Sequence, residues 1–199
     1  MADKTMGPII EFKNVSKRYK LYSGNRQRLA SVFVKNLNIK TKDAVNDMSS
    51  EVFLVDASKG MVAWAKENAV ASGLADKPIH WIVDDCSKFI QREIRRGRRY
   101  DGIIMDPPSY GRGPSGEIWK METSFYPFLQ ETVKLLSDDP LFVIINSYTT
   151  GLAPSAVGYA ADAVYAPIYG GKTAVGELGL PVKSTGYMLP CGATGRWTP

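Results

Sequence analysis

The chain has 199 residues and is 44% hydrophobic, which is enough to bury the core of one domain. No apolar run approaches the length of a membrane span, and the first residues lack the pattern of a secretory signal. Two cysteines exclude a disulfide framework, and no Cys/His cluster has metal-ligand spacing. We therefore expect a cytoplasmic protein without a metal or a membrane partner, and the net charge of +5 indicates an anionic partner.

Residues 1–50 differ in pattern from the rest of the chain. Imperfect alternation predicts short strands at 8–15 and 17–22, and residues 31–39 are weakly strand-like. We expect an atypical β-rich N-terminal segment here.

From Glu51 onward, short buried-type strands alternate with amphipathic helices. Ser58 is placed to cap the first helix, and Gly73 ends it. The predicted order is strand 52–55, helix 61–71, strand 79–83, helix 89–96, strand 102–105, helix 121–136, strand 141–145 and an antiparallel hairpin within 176–191. This alternation predicts an α/β domain over 51–199, with a mostly parallel sheet and helices on both faces.

Three successive predicted strands are each followed by an acid: Asp56, Asp85 and Asp106. Ligands of open parallel sheets bind outside the carboxyl ends of the strands, so these acids are expected to face one crevice. The first suits ribose hydroxyls, the second an adenine amino group, and the third the reacting group. Any one alone is better explained as a helix cap or turn residue, but three in register predict a nucleoside site.

The loop after the strand 102–105 reads Asp106-Pro107-Pro108-Ser-Tyr110. Prolines fix φ and cannot donate a hydrogen bond, so the loop is stiff and presents a carboxylate and carbonyl oxygens. With Tyr110 as a flat neighbour, this pattern suits gripping an amino group and stacking a planar ring. The alternative is that Tyr110 packs under the glycine-rich loop at 111–116.

Arginines are concentrated near this loop in the sequence. Clustered arginines favour phosphate contacts and predict RNA binding, although such runs are also common on solvated faces. The candidates are Arg92, Arg95, Arg96, Arg98, Arg99 and Arg112.

Several of these motifs together resemble class I S-adenosylmethionine-dependent methyltransferases, in the branch of the ribosomal RNA large-subunit enzymes. The segments that carry the resemblance lie at 55–68, 84–86, 100–110, 145–151 and 189–197. It implies a Rossmann-like fold, S-adenosylmethionine as cofactor and a ribosomal RNA base as substrate.

The resemblance also implies a role for each site residue. Asp56, with Ala57 and Ser58, would hold the cofactor ribose, and Asp85 with Cys86 the adenine edge. The methyl-transfer face would comprise Asp106, Pro107 and Pro108, with Tyr110 stacked on the target base.

One departure concerns the reaction. Cytosine-C5 enzymes need a cysteine nucleophile, and relatives of that kind can carry it after the fifth strand, where this chain has Ser147-Tyr148. Cys86 and Cys191 are each best explained as inert packing. Cytosine-C5 chemistry is therefore not expected.

A second departure is the missing glycine-rich turn of the first cofactor-binding strand, because no glycine occurs between Gly24 and Gly60. Residues 9–52 instead resemble the amino-terminal strands of an ABC transporter ATPase subunit, in which Tyr19 would stack on adenine. The phosphate loop of that family does not follow, so nucleotide hydrolysis is not expected. Two alternatives to an active methyltransferase stay open: an inactive chimera joined near residue 51, and a nucleotide-binding module that uses Tyr19.

Overall fold

A computed structural model of the chain describes residues 30–35, 51–112 and 116–199. Within these residues, seven strands form one sheet in the order β3-β2-β1-β4-β7-β9-β8, and β5 and β6 form a separate small hairpin. The strands are β1 (Ala30–Lys35), β2 (Glu51–Asp56), β3 (Ile79–Val83), β4 (Gly102–Asp106), β5 (Tyr110–Arg112), β6 (Ile118–Lys120), β7 (Phe142–Ser147), β8 (Lys172–Pro181) and β9 (Met188–Thr198). In the large sheet β2, β3, β4, β7 and β8 run one way, while β1 and β9 run the other. The predicted mostly parallel α/β sheet is confirmed.

The α-helices in the described part of the chain connect these strands: α1 (Lys59–Ala71), α2 (Cys86–Arg95), α3 (Met121–Thr132) and α4 (Pro154–Tyr169). Connections between parallel strands of one sheet are right-handed. The β2-α1-β3 connection steps toward one side of the sheet, and the three that contain α2, α3 and α4 step toward the other. The helix α1 therefore covers one face and α2, α3 and α4 the opposite face, as predicted.

The core lies on the face covered by α2, α3 and α4. Alternate residues of the strands point to this face, and the helices add apolar side chains to it. The strand residues of this core include Phe53, Val55, Ile103, Met105, Val143, Ile145 and Trp197, and the helix residues include Phe89, Ile90, Phe128, Leu129, Val157, Ala161 and Tyr165. This core fixes the orientation of the strand ends that carry the candidate site.

The largest differences from the predicted helix boundaries are at the start of α2 and the end of α3. Helix α2 begins at Cys86 rather than at 89, because the Asp85 side chain accepts a hydrogen bond from the Lys88 amide at 3.0 Å and caps the helix. Helix α3 ends at Thr132 and continues as a 3₁₀ turn through Leu135, instead of running to 136. The predicted cap of α1 is confirmed, since Ser58 Oγ accepts from the Met61 amide at 3.2 Å.

The central strand β1 runs antiparallel to both of its neighbours. Ala30 pairs with Asp56 on one side and with Asp106 on the other, while Lys35 pairs with Glu51. Part of the weakly strand-like region at 31–39 thus fills the central position, but in the reversed direction. The strands predicted at 8–15 and 17–22, and Tyr19, lie outside the described residues.

The C-terminal antiparallel hairpin is confirmed and is longer than predicted, with a β-bulge between Leu178 and Gly179. Helix α4, which the sequence patterns above do not predict, packs on this hairpin. A Cβ on Gly158 would lie 2.5 Å from Val175 Cγ1, so helix and strand approach closely because residue 158 is glycine. Within the described ranges, no helix is long and apolar enough to cross a membrane.

Candidate functional site

The ends of four strands meet at one edge of the sheet, which we call the carboxyl edge. It carries Asp56, Val83, Asp106 and Ser147, the last residues of β2, β3, β4 and β7. Register brings these ends together: Asp56 pairs with Val83, and Ala30 lies between Asp56 and Asp106. The two acids are therefore two strand spacings apart, roughly 10 Å. The structure thus assembles the three acids predicted from the sequence.

Asp56 is more deeply placed than its predicted role implies. Its residue exposure is 3%, and Oδ1 accepts a hydrogen bond from the Ser58 amide at 2.5 Å. The carboxylate is thus buried rather than open to solvent, and the turn into α1 holds it through the Ser58 amide. Ser58 is also buried and Ala57 is exposed. Asp56 consequently supports the turn as well as being a candidate ribose ligand.

We expect Asp56→Ala to lower both stability and nucleoside affinity. Loss of the acceptor for the Ser58 amide is expected to cost about 1–3 kcal/mol of unfolding free energy. Urea denaturation checks this, with Asp85→Ala as the matched control, for which loss of the α2 cap predicts about 1 kcal/mol. An unchanged denaturation midpoint for Asp56→Ala would contradict the structural part of the prediction.

Asp85 and Cys86 form the junction between β3 and α2. Cys86 is buried, and its thiol donates to the Val55 carbonyl at 3.5 Å, which ties the helix start to β2. The neighbouring Asp84 accepts from the Asp85 amide at 2.8 Å, and its other oxygen pairs with Arg92 at 2.6 Å. These contacts hold Asp85 at the carboxyl edge beside the end of β2.

The Asp106 loop is fixed by an aromatic anchor. Pro107 and Pro108 are buried, and Trp119 Nε1 donates to the Pro108 carbonyl at 2.6 Å. The Trp119 ring packs edge-on against Phe128, with ring centroids 5.5 Å apart. The stiffness predicted from the two prolines is therefore reinforced by β6 and α3.

Asp106 contacts a residue that the sequence analysis did not assign to the site. Tyr148 Oη donates to Asp106 Oδ2 at 2.5 Å, and the Tyr148 residue is 58% exposed. The position of Tyr148 in the sequence could have suggested this contact, because Tyr148 directly follows β7 and so lies at the same edge as the acids.

The turn that carries Tyr148 is bonded to the Asp106 loop through three hydroxyl groups, which we call the hydroxyl clasp: Ser109, Ser147 and Thr149. Ser109 Oγ lies 2.9 Å from Thr149 Oγ1, and Ser147 Oγ donates to Thr149 Oγ1 at 3.1 Å. The clasp joins the segments that follow β4 and β7.

Tyr110 lies in β5 and is half-buried. Its hydroxyl oxygen accepts a hydrogen bond from the exposed Arg112 at Nε, 3.0 Å away, which links the two side chains on the small hairpin. Its predicted stacking on a target base stays a prediction.

Most of the predicted RNA-binding arginines are not brought to the carboxyl edge. Helix α2 starts at that edge and runs away from it, and residues 95–99 precede the opposite end of β4. Five-residue β4 separates the two edges by roughly 13 Å. Arg92 reaches back toward the carboxyl edge through Asp84, and Arg112 follows the Asp106 loop.

At the opposite edge, the arginines surround a buried carboxylate. The Glu93 side chain is 2% exposed and accepts from the Tyr100 hydroxyl at 2.7 Å and from Arg96 at 2.9 Å, while Arg98 lies 3.6 Å away. Burial, followed by the Glu93 carboxylate, raises the pKa of Tyr100, so its phenol stays a donor. Arg99 donates to the Lys134 carbonyl. Much of this arginine cluster thus has a structural use.

Comparison with known proteins gives consistent relatives, although no protein-family model matches the chain. A SAM-dependent methyltransferase from Agrobacterium tumefaciens is 37% identical, with a TM-score of 0.66 over 73% of this chain and 48% of its own. A methyltransferase from Streptococcus mutans, 18% identical with a TM-score of 0.52 over 72% of this chain and 37% of its own, shares the fold.

The curated relatives are named as ribosomal RNA methyltransferases. Ribosomal RNA large subunit methyltransferase K of Neisseria meningitidis is 33% identical over 47% of this chain and 27% of its own length. Ribosomal RNA large subunit methyltransferase K/L of Shewanella baltica is 31% identical over 50% and 14%. The chain thus spans about a quarter or less of these curated relatives. Fold, motifs and relatives together confirm that this chain is related to the class I S-adenosylmethionine-dependent methyltransferases.

Proposed function

We propose that the chain transfers a methyl group from S-adenosylmethionine to a base of RNA, with an exocyclic amino group as the acceptor that Asp106 holds. The observation that carries the proposal is the convergence of Asp56, Asp85 and Asp106 on one sheet edge. The ribosomal RNA names of the curated relatives support RNA, and ribosomal RNA in particular, as the substrate. We also propose that the chain divides near residue 51, whereas the inactive chimera is not favoured by these relatives.

The described residues fit the nucleoside half of the cofactor. Ribose hydroxyls and an adenine amino group are donors, and carboxylates at the ends of β2 and β3 are acceptors of the required kind. In the central strand β1, which is reversed, the residue at the carboxyl edge is its first residue, Ala30. Among the described residues, no glycine lies at this position. Residues for the methionine half are therefore not among those described, and we expect weak affinity.

The proposed mechanism depends mainly on alignment. When bound, the cofactor supplies the methyl group. Asp106 accepts a hydrogen bond from the target amine and so orients its nitrogen, while the buried prolines keep the carboxylate in place. The Pro108 carbonyl already accepts a hydrogen bond from Trp119, so its role is to keep the loop rigid. We assign the Pro107 carbonyl as the second acceptor for the target amine.

Calorimetric titration with S-adenosylhomocysteine tests the proposal. We expect weak binding that Asp56→Ala reduces further, since a charged hydrogen bond to ribose is worth about 1.5–3 kcal/mol. Because Asp56 also supports the α1 turn, thermal melts must accompany the titration. Absence of heat at millimolar ligand, from protein shown to be folded, would overturn the proposal.

One pair of matched substitutions tests whether RNA binds near the Asp106 loop, where Arg112 lies, or at the opposite edge, where Arg95 lies. Arg112→Gln is expected to lower the slope of log affinity against log salt for RNA by about 0.7–0.9, the effect of one phosphate contact. Arg95→Gln at the opposite edge is expected to change it less, because Arg95 lies away from the Asp106 loop. Filter binding at several salt concentrations measures both slopes. A larger effect at Arg95 would assign RNA binding to the opposite edge.

A further inference from the structure

Tyr148 combines exposure with a fixed attachment. Its residue exposure is 58%, yet its hydroxyl group donates to Asp106 Oδ2 at 2.5 Å. An exposed tyrosine on a flexible turn would lose side-chain entropy on adopting a single position, so a firm support is needed to hold it there. The ring is thus presented to solvent immediately beside the carboxylate on which the proposed reaction depends.

The backbone under Tyr148 supplies that support. Ser147 is 2% exposed, and its Oγ accepts from the Thr149 amide at 3.2 Å, which closes the turn around Tyr148. On the other side, a Cβ on Gly192 would lie 2.4 Å from the Ser147 carbonyl oxygen and 3.2 Å from Tyr148 Cα. Only glycine allows β9 to approach this closely at φ +143°, so strand and clasp together hold the turn.

We propose that Tyr148 positions the Asp106 carboxylate through its hydroxyl group and provides the ring on which the target base stacks. This inference rests on the proposed function and adds a second aromatic to it. A planar base lying on the Tyr148 ring has its edge beside Asp106, where an amino group donates to the carboxylate. The hydroxyl group of Tyr110 accepts a hydrogen bond from Arg112 Nε.

Two substitutions separate the hydroxyl group from the ring. Tyr148→Phe keeps the ring and removes the donor to Asp106, whereas Tyr148→Ala removes both. The matched controls are Tyr159→Phe and Tyr159→Ala, at an 81% exposed tyrosine on α4. The assay follows tritiated methyl transfer from S-adenosylmethionine to an unmodified transcript of large-subunit ribosomal RNA. It measures kcat and the KM for RNA, and thermal melts accompany every variant.

For Tyr148→Phe we expect kcat to fall about 10-fold with the KM for RNA within two-fold, since one charge-assisted hydrogen bond is lost. Tyr148→Ala is expected to raise that KM by about 5- to 150-fold as well, the range for one stacked base. Tyr159 variants are expected to stay within two-fold of the parent.

Other outcomes overturn the inference in distinguishable ways. An active parent with both Tyr148 variants within two-fold contradicts the role of Tyr148 and leaves the proposed function intact. A raised KM with unchanged kcat in Tyr148→Phe contradicts positioning. A parent that binds no S-adenosylhomocysteine and transfers no methyl group overturns the proposed function, and the role of Tyr148 with it. If Tyr148→Ala does not fold, Tyr148→Phe decides, because it preserves the ring and nearly all of the volume.

Discussion

Asp106→Asn is expected to reduce methyl transfer by about 100-fold while S-adenosylhomocysteine affinity stays within about three-fold of the parent. The amide keeps the size of the carboxylate and one oxygen that accepts from Tyr148, so the loop geometry is preserved. It replaces the other acceptor by a donor and removes the charge, which weakens the hydrogen bond from the target amine by about 1.5–3 kcal/mol.

Single-turnover methylation of ribosomal RNA and calorimetry measure the two quantities separately. The control is Asp101→Asn, which makes the same chemical change at the opposite end of β4. We expect the control to retain activity. Full activity in Asp106→Asn would show that the acceptor nitrogen is not held by this carboxylate.

Trp197→Ala is expected to destabilise the fold more than the other substitutions considered, by about 3–5 kcal/mol. Trp197 is fully buried at the end of β9, with its ring centroid 5.3 Å from that of Tyr165 and its Nε1 donating to the Gly170 carbonyl at 3.2 Å. Its removal leaves a large cavity between the sheet and α4, together with an unpaired carbonyl group.

Trp64→Ala is the matched control, because Trp64 on α1 is 39% exposed. We expect it to cost clearly less. Chemical denaturation of both variants checks the difference. Equal midpoints would mean that the C-terminal hairpin unfolds without affecting the rest of the domain.

Local patterns were sufficient to predict much of the fold. The strand at 52–55 and the cap at Ser58 depend on neighbouring residues, and both are present in the structure. The direction of β1 was not predictable, because a short apolar strand pairs in either direction and register depends on its partners. Helix α4 was missed because Gly158 and Pro167 interrupt its pattern, although Pro154 at its first turn was a usable signal.

The same contrast between local patterns and long-range contacts holds for the candidate site. Acids at strand ends are visible in a sequence, so Asp56, Asp85 and Asp106 could be proposed as candidates, and the structure places them at one edge of the sheet. The contact of Tyr148 with Asp106 spans 42 positions and depends on β4 and β7 being neighbours. The burial of Asp56 and its hydrogen bond to the Ser58 amide are features of the folded chain that the strand pattern does not reveal. The arginines near 95 are close to the Asp106 loop along the chain, yet the length of β4 places them at the other edge.

The bulge where β9 pairs with β8 has a consequence for the protein at high concentration. β8 borders the sheet, and a straight edge strand with exposed Val175 and Leu180 is a template for pairing with a second copy. Opposite Leu178 and Gly179, β9 carries one extra residue, Cys191, and this bulge increases the local twist of the hairpin. Pro181 offers no donor at the end of β8. Aggregation through edge-to-edge strand addition is thereby disfavoured, and a straightened strand would be expected to lose this protection.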